Sequence, residues 1–244
     1  MIRGRFHERV YAIGGKPVLV IRSDTKSALD MLGLIPAKAV AAEDAMELFI
    51  LGRHYPRHVR ANLSRDDRED PDFPSSCGSV RFSDWYGKGT SVHDRIGNIA
   101  VAVVPGMRWY HPDFTARGIF RPIIDRMLVL EGYLPFHAAA GFAGGAFLLA
   151  GGPGTGKSTL IAAMIRRGAE CLGDDRAVVT AEAGTPVLHR FPEYVRLPVD
   201  ATGPKHPFKP PRPKRERVEL GTAVFLEPGD GHLRLERIDR KSVV

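Results

Sequence analysis

The 244 residues are enough for one large domain or two small ones, and a hydrophobic content of 43% is ordinary for a globular protein. Two cysteines and a charged start without an apolar signal region exclude a disulfide-rich scaffold and favour a reducing, cytoplasmic compartment. No run approaches the roughly 18 apolar residues of a membrane span, so no membrane partner is expected. The net charge of +7 is not spread over the protein, because six Lys and Arg residues lie within the single segment 205–217. A nucleic-acid partner is therefore not expected from the charge alone.

The first part of the chain is predicted to be a β-rich α+β domain. Apolar runs on either side of Gly14-Gly15 predict a hairpin, and an Asp or Thr cap precedes a short helix. Two later strands are separated by glycines, and the polar stretch at 64–79 is typical of a surface loop. The predicted elements are strands 10–13, 16–22, 79–86 and 96–104 and a helix at 24–32.

Two features of this part resemble functional sites but are interpreted as residues without a catalytic or binding role. His54 and His58 stand four residues apart, but Pro56 breaks helical spacing and no third metal ligand is near. The Trp-Tyr pairs at 85–86 and 109–110 are interpreted as packing aromatics rather than base-stacking residues. No motif of residues 1–112 assigns a chemistry, so this domain is predicted to bind a substrate or partner.

Helical periodicity begins near residue 115 and stops at Gly132, which places a domain boundary between residues 112 and 113. A strand at 134–142, a glycine turn centred on Gly144 and a strand at 146–151 then predict a hairpin. This hairpin aligns position 137 with position 151, so His137 is expected beside the loop that follows.

The nine residues 151–159 fit G-x-x-x-x-G-K-[ST], the phosphate-cradling P-loop, between a buried strand and a helix at 158–167. The glycines let backbone N–H groups turn toward phosphate oxygens, and the helix N-terminus adds partial positive charge. Lys157 is expected to reach the β- and γ-phosphates of ATP, and Ser158 to ligate Mg²⁺. The predicted nucleotide-binding residues are Gly151, Gly152, Pro153, Gly154, Thr155, Gly156, Lys157, Ser158 and Thr159.

A second strand, at 169–173, ends in Asp174-Asp175. A strand–helix–strand unit predicts parallel neighbours, whose carboxyl ends share the ligand-binding edge of a sheet. Both carboxylates are therefore expected near the γ-phosphate, where they suit Mg²⁺ coordination and proton abstraction.

The remainder is predicted as β-structure around one irregular loop. A hairpin turns at Gly184, and buried and edge strands are expected at 223–226 and 233–238. Five prolines within 204–217 argue against a helix or a central strand there, so this basic segment is predicted to be a loop.

The chain lacks the additional motifs that characterise two common classes of P-loop protein. The only asparagines are Asn62 and Asn98, and neither begins the Asn-Lys-x-Asp motif of guanine-binding GTPases. The AAA-type ATPases carry a strand ending in Asp-Glu, and that dipeptide does not occur in this chain.

The block from His137-Ala-Ala through the P-loop to Leu172-Gly173-Asp174-Asp175-Arg176 resembles the C-terminal domain of HPr kinase/phosphorylase and its relatives. These relatives include kinases that phosphorylate lasso-peptide precursors. The resemblance covers roughly residues 115–240 and implies an α/β P-loop kinase domain at 113–244, related to phosphoenolpyruvate carboxykinase. It also implies ATP- and Mg²⁺-dependent phosphorylation of a serine hydroxyl on a small protein or peptide, and homo-oligomers as in many relatives.

The resemblance implies the site roles as well. Asp174 becomes the general base, His137 its orienting neighbour, and Asp175 with Ser158 the metal ligands, although the two aspartates can exchange roles. The Glu-x-Arg-Gly segment linked to phosphorolysis is replaced by residues 191–197, so phosphorolysis is not expected. The alternatives are a small-molecule hydroxyl kinase and a non-catalytic, nucleotide-gated binding protein.

Overall fold

The computed structural model describes residues 6–37, 45–52, 79–83, 90–94, 99–104, 115–198 and 205–227. The histidine pair at 54 and 58, both Trp-Tyr pairs and the strand expected at 233–238 lie outside these residues. In the part described, no helix is long and apolar enough to cross a membrane.

A six-stranded mixed sheet forms the first part of the chain, with the order β1-β2-β3-β6-β5-β4. The predicted hairpin at Gly14-Gly15 is confirmed, and β2, β3 and β6 run parallel to one another. Sequence periodicity missed β5, which lies between β6 and β4. The elements are β1 (His7–Ile13), β2 (Lys16–Ser23), α1 (Lys26–Met31), β3 (Met46–Leu51), β4 (Ser79–Ser83), β5 (Thr90–Asp94) and β6 (Ile99–Val103).

The predicted amphipathic helix consists of a π-helical segment (Thr115–Phe120) and α2 (Arg121–Leu130). Its apolar stripe is buried, and it shares one hydrophobic core with residues of the six-stranded sheet. This helix therefore joins the two parts of the chain. The domain boundary at 112/113 stays a prediction, because residues 105–114 are not among those described.

A seven-stranded sheet carries the P-loop, with the order β10-β8-β9-β15-β12-β11-β7. A two-stranded sheet, β13–β14, lies beside α3, where Val195 packs against Ile161. The elements are β7 (Leu134–Phe136), β8 (Ala138–Phe142), β9 (Ala146–Gly151), α3 (Lys157–Arg166), β10 (Glu170–Gly173), β11 (Ala177–Glu182), β12 (Thr185–His189), β13 (Val195–Pro198), β14 (Lys205–Phe208) and β15 (Arg217–Leu226).

The hairpin register is as predicted, since Ala138 pairs with Ala150. The single strand expected at 134–142 is wrong, however, because it divides at His137 into β7, which pairs with β11, and β8. An apolar run cannot show that its two halves bond to different partners.

The strands before and after α3 are not neighbours, which corrects a second prediction. β8 lies between β9 and β10 and is antiparallel to both, while β15 occupies the other side of β9. Because β9 and β10 are both antiparallel to β8, they run parallel to each other. Their carboxyl ends therefore meet at the same edge of the sheet, as expected.

Two predictions near the C-terminal end also need correction. The basic proline-rich segment is not all loop, because residues 205–208 pair with β13 in the two-stranded sheet. That sheet has only edge strands, where proline is tolerated. The strand expected to be buried at 223–226 belongs to β15, which is mostly exposed along its length.

Candidate active site

The P-loop takes the geometry that its glycines permit. β9 ends at Gly151 and α3 begins at Lys157, with Gly154 and Gly156 at φ of 81° and 89°. Only glycine adopts this left-handed backbone without strain. At Gly151 a Cβ would lie 2.5 Å from the Leu226 carbonyl oxygen, so the loop starts in close contact with β15.

Lys157 lies inside the curl of the loop and is 7% exposed. Its Nζ donates to the carbonyl oxygens of Gly151 and Gly152, at 2.7 and 2.9 Å. Thr155 Oγ1 donates to the same Gly152 carbonyl at 2.9 Å. Residues 152–154 and Thr159 are exposed, so the tip of the loop is open to a ligand. In this structure the Lys157 ammonium group is therefore held at the P-loop by backbone carbonyl oxygens.

Asp174 and Asp175 form the turn directly after β10, and the turn brings both to the P-loop. Asp174 is 3% exposed, whereas the Asp175 side chain is 23% exposed. Together with Ser158 from α3, both aspartates line one cavity of about 70 Å³. Three residues predicted from two separate motifs thus line the same cavity.

His137 joins this group from the bend between β7 and β8. Its Nδ1 lies 3.2 Å from both the backbone carbonyl and the Oδ1 of Asp175. Because both neighbours are acceptors, Nδ1 is the ring nitrogen that donates a proton to them. The histidine therefore contacts Asp175, although the sequence resemblance implied that it orients Asp174.

Glu193 is a site residue that sequence reasoning missed. Its Oε1 accepts the backbone N–H groups of Asp174, Asp175 and Arg176, each at 2.9 Å. Burial raises the pKa of Glu193, and Arg176 and Arg121 oppose that rise. One buried carboxylate thus holds the whole Asp-Asp-Arg turn, a role that no spacing in the sequence indicates.

Arg121, at the start of α2, was missed as well. Its Nη1 lies 2.5 Å from Asp175 Oδ2, and its Nη2 lies 3.7 Å from Glu193 Oε2. Arg176 ties the same turn to α2 through Asp125 Oδ1, at 2.6 Å. Charged residues on the polar face of an amphipathic helix are common and give no sequence signal of a site, so only the fold shows that these groups meet.

The first part of the chain supplies another wall of the site. Leu34 forms a β-bridge with Glu193, and the Ile35 N–H donates to the Pro192 carbonyl oxygen at 2.6 Å. Leu32, Gly33 and Leu34 line the same cavity as Ser158 and the aspartates. The segment that holds Glu193 is therefore anchored by the N-terminal residues.

The oxygen donors at the cavity fit a magnesium ion. Among the described residues, no group of three or more His, Cys, Asp or Glu side chains is placed to hold a metal ion. Magnesium, however, is typically bound by one or two carboxylates together with substrate phosphates and water. The Ser158 hydroxyl and the two aspartates provide such an incomplete set, which a nucleotide would complete.

Three of the six Lys and Arg residues in the basic segment form ion pairs with acidic partners. Arg212 pairs with Glu216 at 2.8 Å, Arg215 pairs with Glu170, and Arg217 pairs with Glu182. The Arg215 guanidinium also lies over the Phe142 ring, 3.8 Å from its centroid. These pairings leave less free positive charge for nucleic acid than the sequence alone indicates.

Alanine at position 173 is expected to disrupt the Asp-Asp turn, since its Cβ would lie 2.2 Å from the Arg176 carbonyl oxygen. We expect Gly173→Ala to lower the free energy of unfolding by about 1–3 kcal/mol, measured by urea denaturation. Gly145→Ala is the matched control, because nothing lies within 4 Å of a Cβ built there. Equal stability of the two variants would contradict the tight turn.

No protein-family model matches the chain, and no match is found among curated proteins. Among solved structures, the chain is similar to the Hpr(Ser) kinase/phosphatase from Coxiella burnetii. The identity is 20% and the TM-score 0.32, over 41% of this chain and 69% of that chain. A likeness at this level supports no conclusion about activity.

Proposed function

We propose that this chain is an ATP- and Mg²⁺-dependent kinase that transfers the γ-phosphate of ATP to a serine hydroxyl of a small protein or peptide. The observation that carries the proposal is the shared cavity of Ser158, Asp174 and Asp175 at the end of the P-loop. A P-loop alone supports nucleotide binding. Two carboxylates beside it, one of them in contact with His137, supply the groups that hydroxyl phosphorylation needs.

In the proposed reaction, the P-loop amides and Lys157 hold the triphosphate of the substrate ATP. Asp174 accepts the proton of the acceptor hydroxyl as the new O–P bond forms, and the bond from the γ-phosphorus to the bridging oxygen breaks to release ADP. Asp175 and Ser158 would hold Mg²⁺, which neutralises charge on the phosphate oxygens when bound. His137 keeps the Asp175 carboxylate in place through Nδ1–H.

The two aspartates can also take these roles in the reverse order. Asp175 is the more exposed of the two, and its carboxylate contacts both Arg121 and His137. A carboxylate held by two donors is suited to fixed metal coordination, and this favours Asp174 as the base. The contact between His137 and Asp175 favours the opposite order, because histidines often orient a catalytic acid or base.

A small-molecule acceptor is the second candidate, because the cavity is not an open groove that could hold a peptide chain. It measures about 70 Å³, and Leu32, Gly33 and Leu34 are part of its lining. A space of this volume takes one hydroxyl-bearing group, which either a peptide side chain or a small compound can present. The same phosphate chemistry serves both acceptors.

The test is transfer of labelled γ-phosphate from ATP to serine peptides, including lasso-peptide precursors, and to small hydroxyl compounds, followed by mass spectrometry. Phosphoserine formed only with Mg²⁺ and lost in Lys157→Met supports the protein or peptide kinase. Label only on small compounds selects the second candidate. Nucleotide binding without transfer to any acceptor would contradict the kinase and leave the nucleotide-gated binding protein.

A further inference from the structure

Four strand ends line one edge of the seven-stranded sheet in a fixed order. Asp174 follows β10, His137 precedes β8, Gly151 ends β9, and Phe225 lies near the end of β15. Neighbouring strands are roughly 4.8 Å apart, so the four strand ends follow one another along the edge in the order β10, β8, β9 and β15. The acidic pair and His137 lie on one side of the P-loop strand, and Phe225 lies on the other.

This order defines two directions along the edge from the P-loop. With the γ-phosphate at Asp174 and Asp175, a nucleotide bound along the edge has its nucleoside on the other side of β9. The strand on that side is β15, whose Phe225 is in register with Ala150, directly before the P-loop. A nucleoside bound in this direction reaches the end of β15.

Phe225 presents an uncovered ring at this place. It is 60% exposed, the highest value among the exposed large hydrophobic side chains of the described residues. Its neighbours Val224 and Leu226 pack on the α3 face of the sheet, so Phe225 projects from the opposite face. Ala150, beside it on that face, is too small to cover an aromatic ring.

We infer that Phe225 is the stacking surface for the nucleobase of the phosphate donor, an inference that rests on the proposed function. Every base offers a π-face, so stacking on an aromatic ring tolerates any base. Phe225 would therefore add affinity for purine nucleotides without selecting adenine over guanine. The phosphate-binding part of the site does not involve this ring.

The test compares three probes by calorimetry in the presence of Mg²⁺: ATP, GTP and inorganic tripolyphosphate. We expect Phe225→Ala to weaken ATP and GTP binding by about 5-fold or more and to leave tripolyphosphate binding unchanged. Phe225→Trp should keep the affinity for both nucleotides. Phe208→Ala is the control, because Phe208 is also exposed, at 41%, but lies on the two-stranded sheet.

The outcomes separate this inference from the proposed function. Equal ATP affinity of the wild type and Phe225→Ala would overturn the inference alone. An equal loss for ATP and tripolyphosphate would also overturn it, because the ring would then be supporting the loop. A wild-type protein that binds none of the three probes would contradict both the inference and the kinase. An unchanged melting temperature of Phe225→Ala, expected for an exposed ring, shows that the variant is folded.

Discussion

Replacing Asp174 by Asn is expected to lower the rate of phosphate transfer by roughly 10²- to 10⁴-fold, the range for loss of a positioned general base. Asn keeps the size of this buried side chain, and the backbone N–H of residue 174 can still donate to Glu193. The loss should therefore appear in kcat, with the concentration of Mg²⁺ that gives half-maximal rate unchanged. Steady-state kinetics over a range of Mg²⁺ concentrations measures both quantities.

Asp175→Asn supplies the comparison within the pair. We expect it to raise the Mg²⁺ concentration needed for half-maximal rate, because it removes the charge of the proposed metal ligand, a carboxylate in contact with Arg121. If Asp175→Asn instead lowers kcat at saturating Mg²⁺, and Asp174→Asn shifts the Mg²⁺ dependence, the two roles are reversed. Asp30→Asn is the control, since the Asp30 side chain is 55% exposed, pairs with Arg9 and is not among the residues that line the cavity. Wild-type rates in both site variants would contradict any catalytic role of the pair.

Removing the carboxylate of Glu193 is expected to have the largest effect on stability. Glu193→Ala leaves three backbone N–H groups without their acceptor and removes the negative partner of Arg121 and Arg176. Breaking a buried charged network by deleting one member costs about 3–5 kcal/mol. We therefore expect a fall of about 3 kcal/mol in the free energy of unfolding, measured by urea denaturation with an unchanged m-value.

Glu193→Gln separates the hydrogen bonds from the charge. The amide oxygen can still accept the three N–H groups, and burial already disfavours the charged form of Glu193, so Gln should lose less stability than Ala. Glu182→Ala is the matched control, because Glu182 is 40% exposed and its ion pair with Arg217 lies on the surface. Equal stability of Glu193→Ala and Glu182→Ala would show that Glu193 does not hold the turn.

The local parts of the site could be predicted from the sequence because each depends on residues close together in the chain. The spacing of glycines and Lys157 in the P-loop, the hairpin register that places His137 beside it, and the carboxylates after β10 are all of this kind. The helical stripe of α2 and the hairpin at Gly184 are likewise short-range patterns, and both are present. Whether His137, Asp174 and Asp175 carry out catalysis stays a prediction.

Strand order and contacts between residues far apart in the sequence could be seen only in the folded structure. Strand order is one case, since β8 separates β9 from β10 although the chain places α3 between them. The convergence of Glu193 and Arg121 on the Asp-Asp turn is another, because their contacts cross 18 and 54 residues of sequence. Backbone hydrogen bonds and buried ion pairs form between groups that folding brings close together, whatever their separation along the chain. The sequence of this protein therefore determined which chemical groups are present, and the packing of α2 and the N-terminal residues determined how they are held.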